Sequence, residues 1–236
     1  KDNLDKIQFN DSINFNGVSF KYSESDKLIL DNLNFSIKAG SIIGIIGESG
    51  SGKTTLINLI LGLLKPTNGA IHIDEVDMMK NLTAWQKHIG YVPQDVYLVD
   101  DTIRKNIAFA LPETKIDDGL VDIAIKKSKL NTLINNLNKG INTQIGEFGD
   151  RLSGGQKQRI SIARALYNDP KVLIFDEFTN SLDTETEKKI IEEVINFKRD
   201  KTVIMIAHRL STLKSCDHIF KIENSKITKI ENLDEN

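Results

Sequence analysis

The run Gly47-Glu48-Ser49-Gly50-Ser51-Gly52-Lys53-Thr54 fits the spacing G-x-x-x-x-G-K-[ST]. In that spacing the glycines let the backbone curl until successive N–H groups point inward at phosphate oxygens. A helix that begins where the curl ends adds its positive N-terminal pole to the same anion. Lys53 would supply a mobile charge to the β- and γ-phosphates of a nucleotide, and Thr54 a hydroxyl to Mg²⁺. Taken alone, the string also serves as a structural glycine turn with a solvated lysine. Its setting favours the phosphate reading, because residues 41–46 form an apolar strand before it and a helical pattern follows from Lys53 to about Leu64. Pro66 and Gly69 are expected to stop that helix.

Two further groups bear chemistry. Lys171-Val172-Leu173-Ile174-Phe175-Asp176-Glu177 is a buried strand that ends in adjacent carboxylates, at the edge where open α/β sheets place ligands. By itself this is more often a capped strand end. Beside a phosphate loop, Asp176 suits Mg²⁺, and Glu177, pointing elsewhere, could polarise an attacking water as general base. Leu152-Ser153-Gly154-Gly155-Gln156 opens an amphipathic helix through Ile160, Ala163 and Leu166, with Ser153 as N-cap and glycines that expose the first-turn N–H groups. Alone it is as readily a plain cap. As a second anion site, which one nucleotide does not need, it points to two subunits sharing nucleotides.

The elements that must position these groups follow from periodicity. Ile13, Phe15, Val18, Phe20 and Tyr22 alternate with polar residues, with a slip at Gly17 that reads as a bulge. Leu33, Phe35 and Ile37 repeat the pattern, so the N-terminal region is expected as an antiparallel sheet with one wet face. Short apolar strands at 89–92, 171–175 and 202–207 alternate with helical stretches, which argues for a parallel sheet covered on both faces. Residues 100–167 read as mostly helical, with Leu120, Ala124, Leu130, Leu133 and Leu137 facing inward. No internal repeat or heptad run is present.

Length and composition set bounds. A chain of 236 residues holds one substantial core and is too short for two full-sized ATPase units. Its net charge of −2 offers no basic face, and no nucleic-acid partner is expected. One cysteine, Cys216, excludes an internal disulfide framework and fits a reducing compartment. No run approaches the roughly 18 apolar residues of a membrane span, and no secretory signal opens the chain. The polar start without methionine is expected to be part of a longer protein.

The order of these motifs resembles the nucleotide-binding domain of ABC transporters from about Ile13 onward, and Leu152–Gln156 matches that family's signature motif. The resemblance implies an α/β P-loop NTPase with a RecA-like parallel core, an N-terminal antiparallel β subdomain and a helical subdomain at about 96–167. Residues 1–12 would be a linker from a transmembrane domain, and 13–236 the nucleotide-binding domain. It also implies roles. Gln94 after Val92-Pro93 matches the Q-loop, Asp183 in Ser181-Leu182-Asp183 the D-loop, and His208 in Ile206-Ala207-His208-Arg209-Leu210-Ser211-Thr212 the switch histidine. Tyr22 resembles the aromatic residue that stacks on adenine.

The implied site holds ATP and Mg²⁺. Glu177, His208 and Gln94 would be catalytic, and Thr54, Gln94 and Asp176 would serve the metal. Tyr22, Gly47, Ser49, Gly50, Ser51, Gly52, Lys53, Thr54, Thr55 and Gln94 would bind nucleotide, joined by Ser153, Gly154, Gly155, Gln156 and Asp183. Two chains would close head-to-tail around two ATP molecules, as a homodimer, at the cytoplasmic face of the inner membrane. Asp101-Thr102-Ile103-Arg104-Lys105-Asn106-Ile107, Gly146-Glu147-Phe148-Gly149 and the stretch after His208 resemble exporters, among them bacterial flippases of lipid-linked oligosaccharides. Exporters of lipids or peptides resemble the chain nearly as well. Phe178 and Asn180-Ser181 depart from the usual Glu-Ala-Thr-Ser-Ala-Leu-Asp, and Phe148 replaces the usual arginine of Gly-Glu-Arg-Gly. Neither departure removes a phosphate or metal ligand. ABC-type ATPases of DNA repair carry long heptad arms between the motifs, and those of translation carry two ATPase units. This chain has neither.

Overall fold

The computed structural model describes residues 7–24, 26–179, 182–206 and 210–230. His208 and the pair Asn180-Ser181 lie outside them. In chain order the first elements are β1 (Ser12–Phe20), β2 (Leu30–Lys38), β3 (Ile42–Ile46), α1 (Lys53–Ile60), β4 (Asn68–Ile73) and β5 (Val76–Asp77). There follow α2 (Leu82–Gln86), β6 (Ile89–Val92), α3 (Ile103–Ile107), α4 (Asp118–Lys127), α5 (Asn131–Asn135) and α6 (Gly154–Leu166). The chain continues with β7 (Val172–Asp176), α7 (Thr184–Asn196), β8 (Thr202–Ile206), α8 (Leu210–Leu213), β9 (His218–Glu223) and β10 (Lys226–Ile230).

The period-two segments form one antiparallel sheet in the order β2-β1-β4-β5. Phe15 pairs with Phe35 and Val18 with Leu33, and the register slips between them where Gly17 takes φ 64°. That is the expected bulge. Gly69, at φ 74°, lies against it, and a Cβ there would stand 2.3 Å from the Gly17 carbonyl oxygen. Only glycine lets β4 close on β1 at this point.

The continuous apolar segments form a second sheet in the order β10-β9-β3-β8-β7-β6, parallel throughout except for the β9–β10 hairpin at its edge. Its strands need no polar face because both sides are covered. In β7, Val172 and Ile174 join the core beneath α1 and the antiparallel sheet, while Leu173 and Phe175 join the core beneath the helical region. The β8 pair Ile204/Ile206 and Val203/Met205 divides in the same way.

Three details differ from the sequence reading. α1 ends at Ile60, not near Leu64, because Gly62 takes φ 69°. The Leu63 N–H donates to the Asn58 carbonyl at 2.9 Å and that of Gly62 to Leu59 at 3.1 Å, the paired bonds of a Schellman stop. The inward face of α4 is Val121, Ala124 and Ile125, so the stripe sits one residue beyond Leu120, which is half-buried with Leu133 and Leu137. Residues 7–12, expected within a linker, are packed down: Ile7 and Phe9 are 3% and 2% exposed. The Asp74 carboxylate accepts the N–H groups of Asn10, Asp11 and Ser12, and the Lys171 ammonium donates to the Phe9 carbonyl at 3.0 Å. Among the described residues no helix is long and apolar enough to cross a membrane.

Candidate functional site

The apolar strand β3 delivers the chain to the glycine loop at the edge of the sheet, and α1 leaves from it. Gly52, at φ 108°, occupies the N-cap position of α1, and no described side chain caps that helix. A residue with a side chain would be strained there, and the uncapped first-turn N–H groups remain available to an anion. Lys53 is 6% exposed and its ammonium spans the loop, donating to the Gly47 carbonyl at 2.8 Å and the Glu48 carbonyl at 3.0 Å. An ammonium has three donors. Lys53 is thus held by its own loop at the place where a phosphate would sit.

A cleft of about 530 Å³ brings together Tyr22, Ile29, Ser49, Gly50, Gly52, Lys53, Thr54, Thr55, Gln94 and Glu177. Ser51 faces the adjoining cleft on the other side of the loop, and Gly47 forms the turn out of β3. The Tyr22 ring stands edge-on to Phe20 at 5.0 Å, with its hydroxyl 3.3 Å from the Thr55 hydroxyl. Those two contacts fix the orientation of a ring that is 45% exposed. Ile29, which lines the same cleft, was not among the residues read from the sequence, since an isolated isoleucine in a loop carries no signal.

Asp176 closes β7 at 7% exposure and accepts a hydrogen bond from the Tyr91 hydroxyl at 3.2 Å. Burial raises its carboxyl above the ordinary aspartate range, against the opposing pull of the Tyr91 hydrogen bond and the Lys53 charge. Burial first, then the Asp176 charge, raises the Tyr91 phenol in turn, so it stays a donor. Glu177 turns away at φ 41°, a left-handed conformation, with its N–H on the Ile206 carbonyl at 3.2 Å. Of the adjacent carboxylates, Glu177 lines the cleft, while Asp176 is not among its lining residues and meets Tyr91.

The oxygen donors of Thr54, Asp176 and Gln94 suit a hard cation such as Mg²⁺, which takes one or two carboxylates and leaves its other positions to phosphate and water. No group of three or more His, Cys, Asp or Glu forms a metal cage among the described residues. The donor set fits Mg²⁺.

The segment around Ser153 lies elsewhere. Ser153 caps α6 in a reciprocal box, with its own N–H on the Gln156 amide oxygen at 2.9 Å and the Gln156 N–H on its hydroxyl at 3.4 Å. Asp183 caps α7 by accepting from the N–H groups of Glu185 and Thr186, and the hydrogen bonds from Thr186 hold its carboxyl below the usual range. Both side chains are occupied as caps. A cleft of about 300 Å³ contains Ser153, Gly154, Gly155, Gln156, Arg159 and Asp183, and it shares no residue with the phosphate-loop cleft. Within one chain the two clefts are separate.

The family model described as "ABC transporter" matches residues 30–180. The chain belongs to the ABC transporter family. It is 44% identical over 214 residues to ABC transporter B family member 29, chloroplastic, of Arabidopsis thaliana, covering 90% of this ABC chain and 34% of the relative. Identity to the alpha-hemolysin translocation ATP-binding protein HlyB of Escherichia coli is 44% over 223 residues, 94% of this chain and 31% of the relative. The ATP-dependent lipid A-core flippase of Ralstonia nicotianae is 39% identical over 220 residues, 92% of this chain and 37% of the relative. The chain thus spans about a third of the length of the curated relatives it matches. The structure of a bacterial Atm1-family ABC exporter with ATP bound superposes with a TM-score of 0.85 at 38% identity, over 97% of this chain and 40% of that one.

Proposed function

We propose that this ABC domain is the ATP-hydrolysing motor of an exporter, closing as a head-to-tail homodimer around two Mg²⁺-ATP. The observation that carries the reading is the separation of the two half-sites, one in the phosphate-loop cleft and one in the Ser153 cleft. A phosphate on the first would be completed only by the second from another copy. In this reading Lys53, Thr54 and the loop N–H groups hold the phosphates, Tyr22 stacks on the adenine, and Gln94 and Asp176 complete the metal's oxygen set. Bound there, Mg²⁺ would neutralise charge that develops on the transferring phosphoryl group. Glu177 orients the attacking water in line with the γ-phosphate and takes its proton. His208 stabilises the group in transfer. Ser153 and Gly155 of the second copy shield that geometry from bulk water, which is the positioning that phosphoryl transfer chiefly requires.

Closure would be passed to a transmembrane domain through the surface beside Gln94 and Glu147, on the cytoplasmic face of a membrane. In the loop that follows Gln94, the exposed ring of Tyr97 meets the exposed ring of Phe148 at 5.7 Å. Where an arginine would offer an ion pair, this chain offers an apolar contact. The cargo belongs to the lipid, lipid-linked oligosaccharide or peptide classes.

Isothermal titration of ATP into the chain tests the nucleotide reading. Lys53→Ala removes a charged hydrogen-bonding group, which is worth about 1.5–3 kcal/mol, and should weaken binding roughly 10- to 100-fold. Tyr22→Ala removes a stacking contact worth on the order of 1 kcal/mol and should weaken it about 5-fold. A wild-type chain that does not bind ATP would sink the proposal.

A further inference from the structure

The strand that leads into Gln94 is tied to Asp176 by a side chain that the reading so far does not use. Tyr91 and Ile174 are register partners on the parallel strands β6 and β7. Side chains two residues apart on a strand share a face, so Asp176 lies diagonally beyond Ile174 on the side where Tyr91 stands. The Tyr91 hydroxyl spans that diagonal and donates to Oδ2 of Asp176 at 3.2 Å. It is the only hydrogen-bond donor to the Asp176 side chain among the described residues. Tyr91 itself is half-buried in β6, the edge strand of the sheet, three residues before Gln94.

We propose that Tyr91 is a positioning residue for the metal-nucleotide site, latching Oδ2 of Asp176 so that Oδ1 is left to the Mg²⁺ shell, and holding the strand that carries Gln94 to the same carboxylate. This rests on the proposed Mg²⁺-ATP site. Without the latch an aspartate at a strand end can rotate about its χ2, which is broad, and its two oxygens compete for the metal position. A neutral donor keeps the carboxylate's charge available to the cation while removing that freedom. Tyr91 touches neither phosphate nor metal in this account and acts only through Asp176 and the course of β6.

Tyr91→Phe tests it, because the ring is kept and only the hydroxyl is lost. Mn²⁺ serves as the probe. Its affinity for the ATP-bound chain is read by the loss of the free-ion paramagnetic resonance signal, and ATP affinity is measured separately in EDTA. Loss of a hydrogen bond to a metal-site carboxylate typically costs 10- to 100-fold in metal affinity. For one neutral donor we expect about 10-fold weaker Mn²⁺ binding with ATP affinity in EDTA unchanged within 2-fold. Tyr91→Leu, which also removes the ring, should weaken Mn²⁺ binding at least as much and lower the melting temperature further than Tyr91→Phe, which loses only the one hydrogen bond. Unchanged Mn²⁺ affinity in Tyr91→Phe would overturn the inference alone. Equal losses with and without metal would assign Tyr91 a purely structural role and also overturn it. A wild-type chain that binds no ATP would overturn the proposed function and this inference with it.

Discussion

Glu177→Gln should stop turnover while leaving ATP bound, with the hydrolysis rate falling about 10²- to 10⁴-fold, the range for loss of a general base. The amide keeps the size and the hydrogen-bonding reach of the carboxylate but cannot take a proton from water. Glu177 lies in the cleft that holds Lys53 and Thr54. Its backbone, at φ 41°, is held to β8 through its N–H on the Ile206 carbonyl, a bond that the substitution leaves in place. The consequence is a trap: ATP stays bound and the two half-sites stay closed. Light scattering should show monomer in the absence of ATP and dimer in its presence. A further Ser153→Arg change should abolish the dimer, because a long side chain would project into the cleft that, in the proposed reading, receives the partner's phosphate. Ser153→Ala separates this from loss of the helix cap, which costs about 1 kcal/mol and leaves the cleft open. Wild-type turnover in Glu177→Gln would move the base to another residue. A variant that binds ATP tightly yet stays monomeric at high concentration would place control of closure in the proposed transmembrane domain.

What could be read from the sequence divides along the range of the interactions. The phosphate loop, the Asp176-Glu177 strand end and the Ser153 cap are local strings, and each is built from neighbours within a few residues. The capping box of Ser153 and Gln156 is a three-residue spacing, and the structure forms it. The two sheets were legible because period two and continuous apolar runs report burial on one face or both. Contacts that depend on register between distant strands were not legible. Tyr91 and Asp176 are 85 positions apart and meet only because β6 pairs with β7 in one register. The packing of residues 7–12 was hidden for the same reason: Ile7 and Phe9 sit in a polar segment whose partners, Asp74 for Asp11, His88 for Ile7 and Lys171 for Phe9, come from elsewhere in the chain. The stop of α1 was available in principle, since Gly62 precedes Pro66. A single glycine does not distinguish a stop from an interior residue without the bond from Leu63 back to Asn58.

The largest expected loss of stability follows from Trp85→Ala, about 3–5 kcal/mol, the range for emptying a buried tryptophan site. Trp85 is the sole tryptophan of the chain and is fully buried. Its ring meets Phe9 edge-on at 5.9 Å, and its indole N–H donates at 2.7 Å to the carbonyl of Ile60, the last residue of α1. Gln86 donates to the next carbonyl, that of Leu61, at 3.1 Å. The two side chains of α2 thereby satisfy acceptors at the C-terminal end of the helix whose N-terminal end bears the phosphate loop. In the alanine variant a cavity opens, Phe9 loses its partner and the Ile60 carbonyl is left in an apolar surround, so the transition measured by circular dichroism should fall by roughly 10 °C. Trp85→Phe keeps most of the volume and loses the N–H, and should cost about 1–3 kcal/mol, the penalty for one orphaned buried acceptor. Saturating ATP should raise both transitions by the same increment as in the wild type if the loop is held by its own glycines and Lys53, because binding to the folded state adds a term set only by affinity and concentration. A smaller increment in Trp85→Ala would mean that α1 is anchored from behind, and that the burial of Phe9 against Trp85 transmits to the nucleotide loop whatever displaces the segment preceding β1.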